Sequence, residues 1–202
     1  MKHIDDPKYC AYLDQYKLLH KHPNIFPGES IDLNLKFISP LIESTQSHSL
    51  LDYGCGKGFQ YTKRNLHKTH LYGIMPTLYD PAVVEHSTYP EGQFDGVICT
   101  DVLEHIPESS VGFVLSSISE KAKKFVFLSI STIPAITKLP NGENAHTTIK
   151  PVEWWIDKVL LHSARNVLWN IVFRGHKNAK VGTANVLVCD GHVLNFLDGR
   201  LN

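Results

Sequence analysis

Hydrophobic and polar positions along the chain follow two periods that alternate from one segment to the next. Short apolar runs, bounded by glycine, proline or polar residues, predict β-strands. Between these runs, apolar residues recur at the three- and four-residue spacing of an α-helix. The alternation predicts an α/β fold with a mostly parallel sheet and helices on both faces. The predicted strands are a run that ends at the Gly54–Gly58 turn, Thr69–Met75, a brief strand at Val83–Val84, Phe94–Thr100, Lys124–Ile130, Leu168–Phe173 and Val186–Val188.

The N-terminal segment predicts a helix that begins at Asp6-Pro7, because proline suits the first turn of a helix. One interpretation is an amphipathic helix packed on the sheet, and the other is a lid whose tyrosines border a ligand. Its residues at helical spacing are Tyr9, Tyr12, Leu13, Tyr16 and Leu19. Further helices are predicted from a cap at Ser30, over 59–66, over 111–122 and from Pro151. The last of these carries two adjacent tryptophans, of which at most one can face the core, Trp154 and Trp155.

Three closely spaced glycines follow the first predicted strand, at Gly54, Gly56 and Gly58. Glycine adopts backbone conformations with positive φ and lets a ligand approach the main chain. A strand, a glycine turn and a helix start in this order are typical of a site for a nucleotide-like ligand. The spacing Gly-x-Gly-x-Gly differs from the dinucleotide pattern Gly-x-Gly-x-x-Gly, and it lacks the Lys-Ser/Thr of a phosphate loop. An acidic residue, Asp52, lies two positions before the first glycine.

The segments Leu51–Gly58 and Phe94–Pro107 together resemble class I S-adenosylmethionine-dependent methyltransferases. The resemblance covers about Leu50 to Ser131, and Leu139–Trp155 is similar to an uncharacterised bacterial and phage subset of that superfamily. It implies a Rossmann-like, seven-stranded sheet with an antiparallel C-terminal hairpin, and S-adenosylmethionine as the cofactor. The residues that it implies for cofactor binding are Asp52, Tyr53, Gly54, Cys55, Gly56, Gly58, Met75, Asp80, Asp101 and Val102.

The end of the second predicted strand departs from the superfamily pattern. That strand usually ends in an acidic residue, which accepts hydrogen bonds from the ribose hydroxyls of the cofactor. The matching position here is Met75, which has no such oxygen. The nearest acid is Asp80, which either takes over this role or starts a turn, because Asp-Pro favours turns. The departure leaves open a degenerate domain that binds an adenosyl ligand or a partner and acts as a regulator.

Candidate catalytic side chains follow the fourth predicted strand and lie in the long loop 131–150. Asp101, Glu104 and His105 come at the edge of the sheet where ligands bind in open α/β folds. A hydroxyl or amine nucleophile needs a base near neutral pH, and the candidates are His146 and His105, with Asp101 beside them. The alternative for His105 is a structural role in orienting its turn. Glu104, His105 and His146 are metal ligands by type, as in small-RNA 3′-end methyltransferases, but adjacent Glu-His is not a metal-ligand spacing, so no metal is predicted.

Length and composition narrow the class of protein. The chain has 202 residues, with 20 Lys+Arg and 20 Asp+Glu. This length predicts one α/β domain, with an N-terminal helical lid (1–45), a cofactor-binding core (46–132) and a C-terminal part that holds the substrate loop, a helix and the hairpin (133–202). The zero net charge disfavours a general grip on nucleic acid. Scattered cysteines and the lack of a long apolar run or signal peptide predict a cytoplasmic protein without a membrane partner.

The predicted acceptor is a small polar molecule, sugar- or nucleotide-like, that is methylated at oxygen or nitrogen. The polar loop 131–150 suits a hydroxyl-rich or phosphorylated compound, and we expect it to meet the 101–105 turn at the carboxyl edge of the sheet. A nucleotide-sugar or dinucleotide enzyme is a third interpretation, which the glycine spacing disfavours. The predicted hairpin loop after Phe173 offers side chains for a phosphate: Arg174, His176, Lys177 and Lys180.

Overall fold

A computed structural model describes residues 4–175 and 183–199, with the backbone alone for 183–185 and 195–199. The α-helices are α1 (Pro7–His20), α2 (Leu35–Ser44), α3 (Phe59–Thr62), α4 (Leu66–His70), α5 (Glu108–Lys121) and α6 (Val152–His162). Short 3-10 helices span Ser30–Asn34, Val84–His86 and Leu103–His105. The strands are β1 (Leu50–Tyr53), β2 (Thr77–Tyr79), β3 (Phe94–Thr100), β4 (Ala122–Ser131), β5 (Leu168–Arg174), β6 (Thr183–Cys189) and β7 (His192–Gly199).

All seven strands belong to one sheet in the order β2-β1-β3-β4-β5-β6-β7. The first five strands in this order run parallel to one another, and β6 and β7 are antiparallel to their neighbours. The predicted seven-stranded, mostly parallel sheet with an antiparallel C-terminal hairpin is therefore confirmed. The edge strand β7 was not predicted, although the dipeptide Asp190-Gly191 between β6 and β7 is a sequence signal for a hairpin turn.

Each face of the sheet packs against its own helices. On one face, strand residues such as Leu51 and Val97 contact α5 and α6, where Trp155 is fully buried. On the other face, Leu50 and Ile98 pack against α2. This division follows from strand geometry, since successive side chains point to opposite faces.

The second strand was predicted in the wrong place. The segment Thr69–Met75 is not a strand: its first two residues end α4, and the chain then turns through left-handed conformations at Tyr72 (φ 54°) and Gly73 (φ 81°). β2 begins two residues after Met75, and Asp80 follows it directly. Leu71, which suggested a buried strand, is fully buried in the cluster around α2. The prediction that Met75 ends the second strand is therefore wrong.

Three further predictions need correction. Val83–Val84 is not a strand, because Val84 begins a 3-10 helix and is 86% exposed. The helix predicted over 59–66 is divided into α3 and α4, because Asn65 between them is left-handed (φ 53°). Ser30 begins a 3-10 helix rather than capping α2, which continues through Pro40.

Candidate active site

A cavity of about 510 Å³ opens at the carboxyl ends of β1 and β3. Its floor is the glycine turn after β1 and the 101–105 turn after β3. Helix α1 and the segment 26–30 form one wall, and residues 131–137 together with His146 form the opposite wall. The loop 131–150 thus meets the 101–105 turn at this edge of the sheet.

The glycine turn has no room for side chains at its two cavity-lining glycines. Gly54 has a φ of 83°, and a Cβ built on it would lie 2.3 Å from Cγ2 of Val102. Gly56 has a φ of 57°, and its Cβ would lie 2.8 Å from the carbonyl oxygen of Phe26. Because both positions combine a left-handed backbone with close neighbours, they require glycine.

Four of the five backbone amides of the glycine turn have partners within the protein. Gly54 and Cys55 both donate to the carbonyl of Tyr79, at 2.7 and 3.2 Å, Gly56 donates to Asp80 at 2.9 Å, and Gly58 donates to the carbonyl of Cys55 at 3.1 Å. The first two amides of α3 donate to carbonyls of residues 27–28. A phosphate site needs free N–H donors, so this turn lacks the means to cradle a diphosphate.

Asp80 is the acid that follows β2, and it lines the cavity. Its carboxylate accepts hydrogen bonds from the amides of Gly56 and Ala82, each with an N···O distance of 2.9 Å. A carboxylate has about four acceptor positions, so these two bonds leave capacity for a ligand's hydroxyls. The residue directly after β2 is thus an acid, Asp80, whereas Met75, five residues earlier, is 48% exposed and does not line the cavity.

Asp52 lies behind the glycine turn and does not line the cavity. The alternation along β1 directs it to the face that packs on α2 and α3, where it is 1% exposed. Its Oδ2 accepts hydrogen bonds from Gln60 Nε2 (2.9 Å) and the Tyr61 hydroxyl (2.8 Å). Burial raises the pKa of Asp52 to about 7. The side chain therefore ties β1 to α3 and lies outside the cavity, although the resemblance implied a role for it in cofactor binding.

The predicted cofactor residues divide into two groups. Six of them line the cavity: Tyr53, Gly54, Gly56, Asp80, Asp101 and Val102. The other four do not, namely Asp52, Cys55, Gly58 and Met75. Gly58 instead packs against Leu78, and the buried Cys55 thiol lies 3.4 Å from the carbonyl of Gly56.

Asp101 lines the cavity in a left-handed conformation (φ 56°) and is held by neighbouring strands. Its Oδ1 accepts a hydrogen bond from the Ser129 hydroxyl (2.6 Å), and its Oδ2 pairs with Arg174 Nη1 (2.9 Å). Beneath it lies Glu104, fully buried, which accepts a hydrogen bond from the amide of Ser131. Burial, and then the nearby charge of Asp101, raises the pKa of Glu104 to about 8.

His105 and His146 lie together in the cavity wall, with ring centroids 4.8 Å apart. His105 Nδ1 bonds the carbonyl of Ala145 (2.7 Å), and His146 Nδ1 bonds that of Ile133 (2.6 Å). Because a carbonyl only accepts, each Nδ1 carries the proton and each Nε2 is left with a lone pair. Burial, and then the neighbouring His146, lowers the pKa of His105 to about 3, so this ring stays neutral near pH 7.

A family model described as a methyltransferase domain matches residues 15–156 of the chain. The chain belongs to this methyltransferase family. A protein from Bordetella avium (strain 197N), named ubiquinone biosynthesis O-methyltransferase, is 29% identical over 154 residues. That match covers 60% of this chain and 64% of the relative, so the similarity spans less than two thirds of the relative's length. The predicted class I, S-adenosylmethionine-dependent methyltransferase is confirmed at the level of the family.

Several cavity residues of this domain were not selected individually from the sequence. They are His20, Phe26, Glu29, Ser30, Thr100 and, within the predicted loop, residues 133–137. Tyr9, Tyr12 and Tyr16 also line the cavity, as the lid interpretation of α1 expected. The helical spacing of the tyrosines was the available signal, but periodicity alone does not say whether a face covers a core or a cavity.

The remaining predictions concern metals, phosphate and membranes. Among residues 4–175 and 183–199, no group of three His, Cys, Asp or Glu side chains is arranged to hold a metal ion. Of the suggested phosphate ligands, Arg174 is bound to Asp101, whereas His176, Lys177 and Lys180 lie outside the described residues. None of the helices that the structure describes has the length and apolar character to span a membrane.

Proposed function

We propose that this protein transfers the methyl group of S-adenosylmethionine to an oxygen atom of a small acceptor bound in the same cavity. The observation that carries the proposal is the position of Asp80, directly after β2 and bonded to Gly56 of the glycine turn. An acid at this place is the group that the superfamily uses for the ribose hydroxyls. The methionine arm would then lie over Gly54 and Gly56, where side chains are excluded.

The charge of the cavity supports a cationic ligand over a diphosphate. Three acids line it, Glu29, Asp80 and Asp101, whereas no lysine or arginine does among the described residues. The paired amides of the turn leave no phosphate cradle. A sulfonium and an ammonium gain from nearby carboxylates, while a diphosphate would be repelled by them. The same observations disfavour a dinucleotide or nucleotide-sugar enzyme.

The alternative of a degenerate, regulatory domain loses its main support. It depended on Met75 as the residue at the end of the second strand, and that position belongs to Asp80. We therefore propose a catalytic domain.

The chain's own residues supply proton acceptance and orientation. S-adenosylmethionine, when bound, supplies an activated methyl group, so the protein mainly has to position a nucleophile. His146 is partly exposed in the cavity wall with a free Nε2, which suits it to accept the proton of an acceptor hydroxyl. His105 stays neutral and is bonded to Ala145, so we assign it the orientation of the loop and a hydrogen bond to the acceptor.

The walls around the two histidines favour an uncharged acceptor with an apolar or aromatic body and a hydroxyl group. Tyr12, Tyr16 and Phe26 form one side, and Ile133 and Ile136 form the other. A phosphorylated acceptor would meet acids in this cavity, and no lysine or arginine among the lining residues that the structure describes could pair with it, which disfavours a nucleotide or sugar phosphate. The Bordetella avium relative is named as an O-methyltransferase, which supports oxygen over nitrogen.

Calorimetry with S-adenosylmethionine and S-adenosylhomocysteine tests the cofactor. The wild type should bind both, and Asp80→Asn should bind them about tenfold or more weakly, because the ribose hydroxyls lose a charged acceptor. Met75→Ala is the matched control and should bind as the wild type does. If neither compound binds the wild type, the methyltransferase proposal is wrong. If only Met75→Ala weakens binding, the assignment of Asp80 is wrong.

A methyl-transfer screen tests the acceptor class. We expect hydroxylated aromatic compounds, such as catechol and its alkylated derivatives, to be methylated in preference to sugars, sugar phosphates, nucleotides or RNA. Amines of the same aromatic body are the control for oxygen against nitrogen. Preferred transfer to a phosphorylated compound would contradict the argument from the cavity's charge.

A further inference from the structure

The carboxylate of an amino-acid ligand in this cavity requires hydrogen-bond donors, and few are available. The amides of Gly54, Cys55, Gly56 and Gly58 and the first two amides of α3 are engaged, as described above. No lysine or arginine among the described residues lines the cavity; Arg174, which pairs with Asp101 through Nη1 and whose Nη2 is buried without a partner, lies outside the lining. A buried carboxylate without donors would cost several kcal/mol, so the donors have to be side-chain hydroxyls or a histidine.

Two hydroxyls meet beside the glycine turn. Ser30 Oγ lies 2.7 Å from Thr100 Oγ1 and 3.2 Å from the carbonyl oxygen of Thr100. Both residues line the cavity. The parallel register of β1 and β3 pairs Asp52 with Ile98, and its continuation by two residues puts Thr100 beside Gly54.

The hydroxyl pair is held in place from both sides. Thr100 is the last residue of β3 and is 4% exposed. Ser30 is fixed by bonds on either side of its peptide: Ile31 N donates to Gln60 Oε1 (3.3 Å), and Asn34 Nδ2 donates to the carbonyl of Ser30 (3.1 Å). The two hydroxyls carry two hydrogens, and their mutual bond uses one of them. When Ser30 donates this bond, the hydrogen of Thr100 is left for a ligand; when Thr100 donates it, the hydrogen of Ser30 points to the Thr100 carbonyl at 3.2 Å, and a carboxylate would have to replace that carbonyl as the acceptor.

We propose that Ser30 and Thr100 bind the α-carboxylate of the cofactor's methionine arm, as an uncharged pair of donors in place of an arginine or lysine. This inference rests on the proposed use of S-adenosylmethionine. It also assigns a role to the segment before β1: by supplying Ser30, that segment forms part of the cofactor site as well as covering it. The competing donor is His20, whose Nδ1 is buried without a partner and whose ring lines the same cavity.

The experiment compares ligands with and without the amino-acid arm. Affinities for S-adenosylhomocysteine and for 5′-methylthioadenosine, which keeps the adenosine and lacks the carboxylate, are measured by calorimetry. Ser30→Ala and Thr100→Val should each bind S-adenosylhomocysteine about tenfold more weakly and bind 5′-methylthioadenosine as the wild type does. Thr100→Ser, which keeps the hydroxyl, should restore most of the affinity. Ser44→Ala, at the exposed end of α2 and outside the cavity lining, is the matched control.

Three outcomes would overturn the inference. Equal weakening of both ligands would mean that Ser30 and Thr100 shape the turn without touching the carboxylate. Unchanged affinity for both ligands in both variants would mean that other donors are used. A selective loss in His20→Gln alone would assign the carboxylate to His20. Failure of the wild type to bind either S-adenosylmethionine or S-adenosylhomocysteine would instead refute the proposed function itself.

Discussion

At the scale of single residues, the two histidines of the cavity wall have the same bonding but different surroundings. Both donate Nδ1–H to a backbone carbonyl, of Ala145 for His105 and of Ile133 for His146. His105 is packed between the rings of Tyr16 and Phe26, each 5.4 Å away. A ring enclosed in this way resists protonation and suits a fixed hydrogen-bonding role. His146 is the side chain with room to exchange a proton.

The variant His146→Ala tests this division of roles. We expect kcat to fall by about a hundredfold or more, as for the loss of a general base, while the affinity for S-adenosylhomocysteine stays nearly unchanged. The measurement uses an acceptor found in the screen and calorimetry on the same samples. The exposed His70→Ala is the control and should keep full activity. A His146→Ala enzyme with wild-type kcat would show that this wall has only a structural role.

At the scale of elements, α1 is attached to the rest of the molecule by polar bonds more than by core packing. Of its fourteen residues only Leu19 is buried. The Tyr16 hydroxyl donates to the carbonyls of Ala145 (2.6 Å) and His105 (3.1 Å). Asp6, its N-cap, accepts hydrogen bonds from the hydroxyls of Ser109 and Ser110, each with an O···O distance of 2.6 Å. Such an element is suited to open and close over a ligand.

Removing the cap should loosen this helix without unfolding the protein. In Asp6→Ala we expect faster hydrogen exchange at the amides of Tyr9–His20, because one cap and two bonds to α5 are lost. The global melting temperature should change little, since α1 buries a single residue. S-adenosylhomocysteine should slow this exchange again if α1 closes over it. Asp5→Ala removes a neighbouring exposed acid and serves as the charge-matched control; equal effects in both variants would contradict the role of the cap.

The sequence predicted elements well where packing follows a simple period. β3 and β4 are continuous apolar runs buried on both faces, and their predicted positions agree with the structure. β2 was missed because it is three residues long and lies at the sheet edge, so it leaves no periodic trace. The direction of Asp52 was available from strand alternation, since Leu51 and Tyr53 on either side of it point to the α5 face. The pairing of Ser30 with Thr100 depends on chain paths 70 residues apart, which no local pattern reports.

At the scale of the whole molecule, buried ionisable groups connect folding to pH. Burial raises the pKa of Asp52 to about 7 and that of Glu104 to about 8, from ordinary values of 3.8 and 4.5. In the folded protein both carboxyls keep a proton that the unfolded chain has already released. Their contribution to the free energy of unfolding is therefore lost as pH rises through the folded pKa values. Burial lowers the pKa of His105 from 6.5 to about 3. Below pH 6.5 this shift makes the free energy of unfolding rise with pH, opposite to the effect of the two carboxyls.

We therefore expect stability to fall between about pH 6.5 and 8, where the carboxyls act without the opposing histidine. Thermal melts over this range should show a steeper decline for the wild type than for Glu104→Gln, whose amide mimics the protonated acid and has no charge to release. Glu153→Gln, on the first turn of α6, is the control and should decline as the wild type does. A Glu104→Gln protein with the wild-type slope would show that Glu104 does not hold its proton in the folded state.

The strand that precedes Asp80, β2, is the edge of the sheet and pairs with β1 alone in the part of the chain that the structure describes. The polar bonds that hold it are a few ladder bonds, the two amides that donate to the carbonyl of Tyr79, and the bonds of Asp80 with the amide of Gly56 and the carbonyl of His86. An edge strand held by so few bonds opens more readily than the interior strands. A ligand that bonds to Asp80 binds only the state in which β2 is paired with β1. A free ligand concentration of a hundred times Kd would therefore stabilise that state by about 2.7 kcal/mol. If S-adenosylmethionine binds Asp80 as proposed, its concentration would set how often this edge of the sheet opens, and with it the exposure of the protein to proteases.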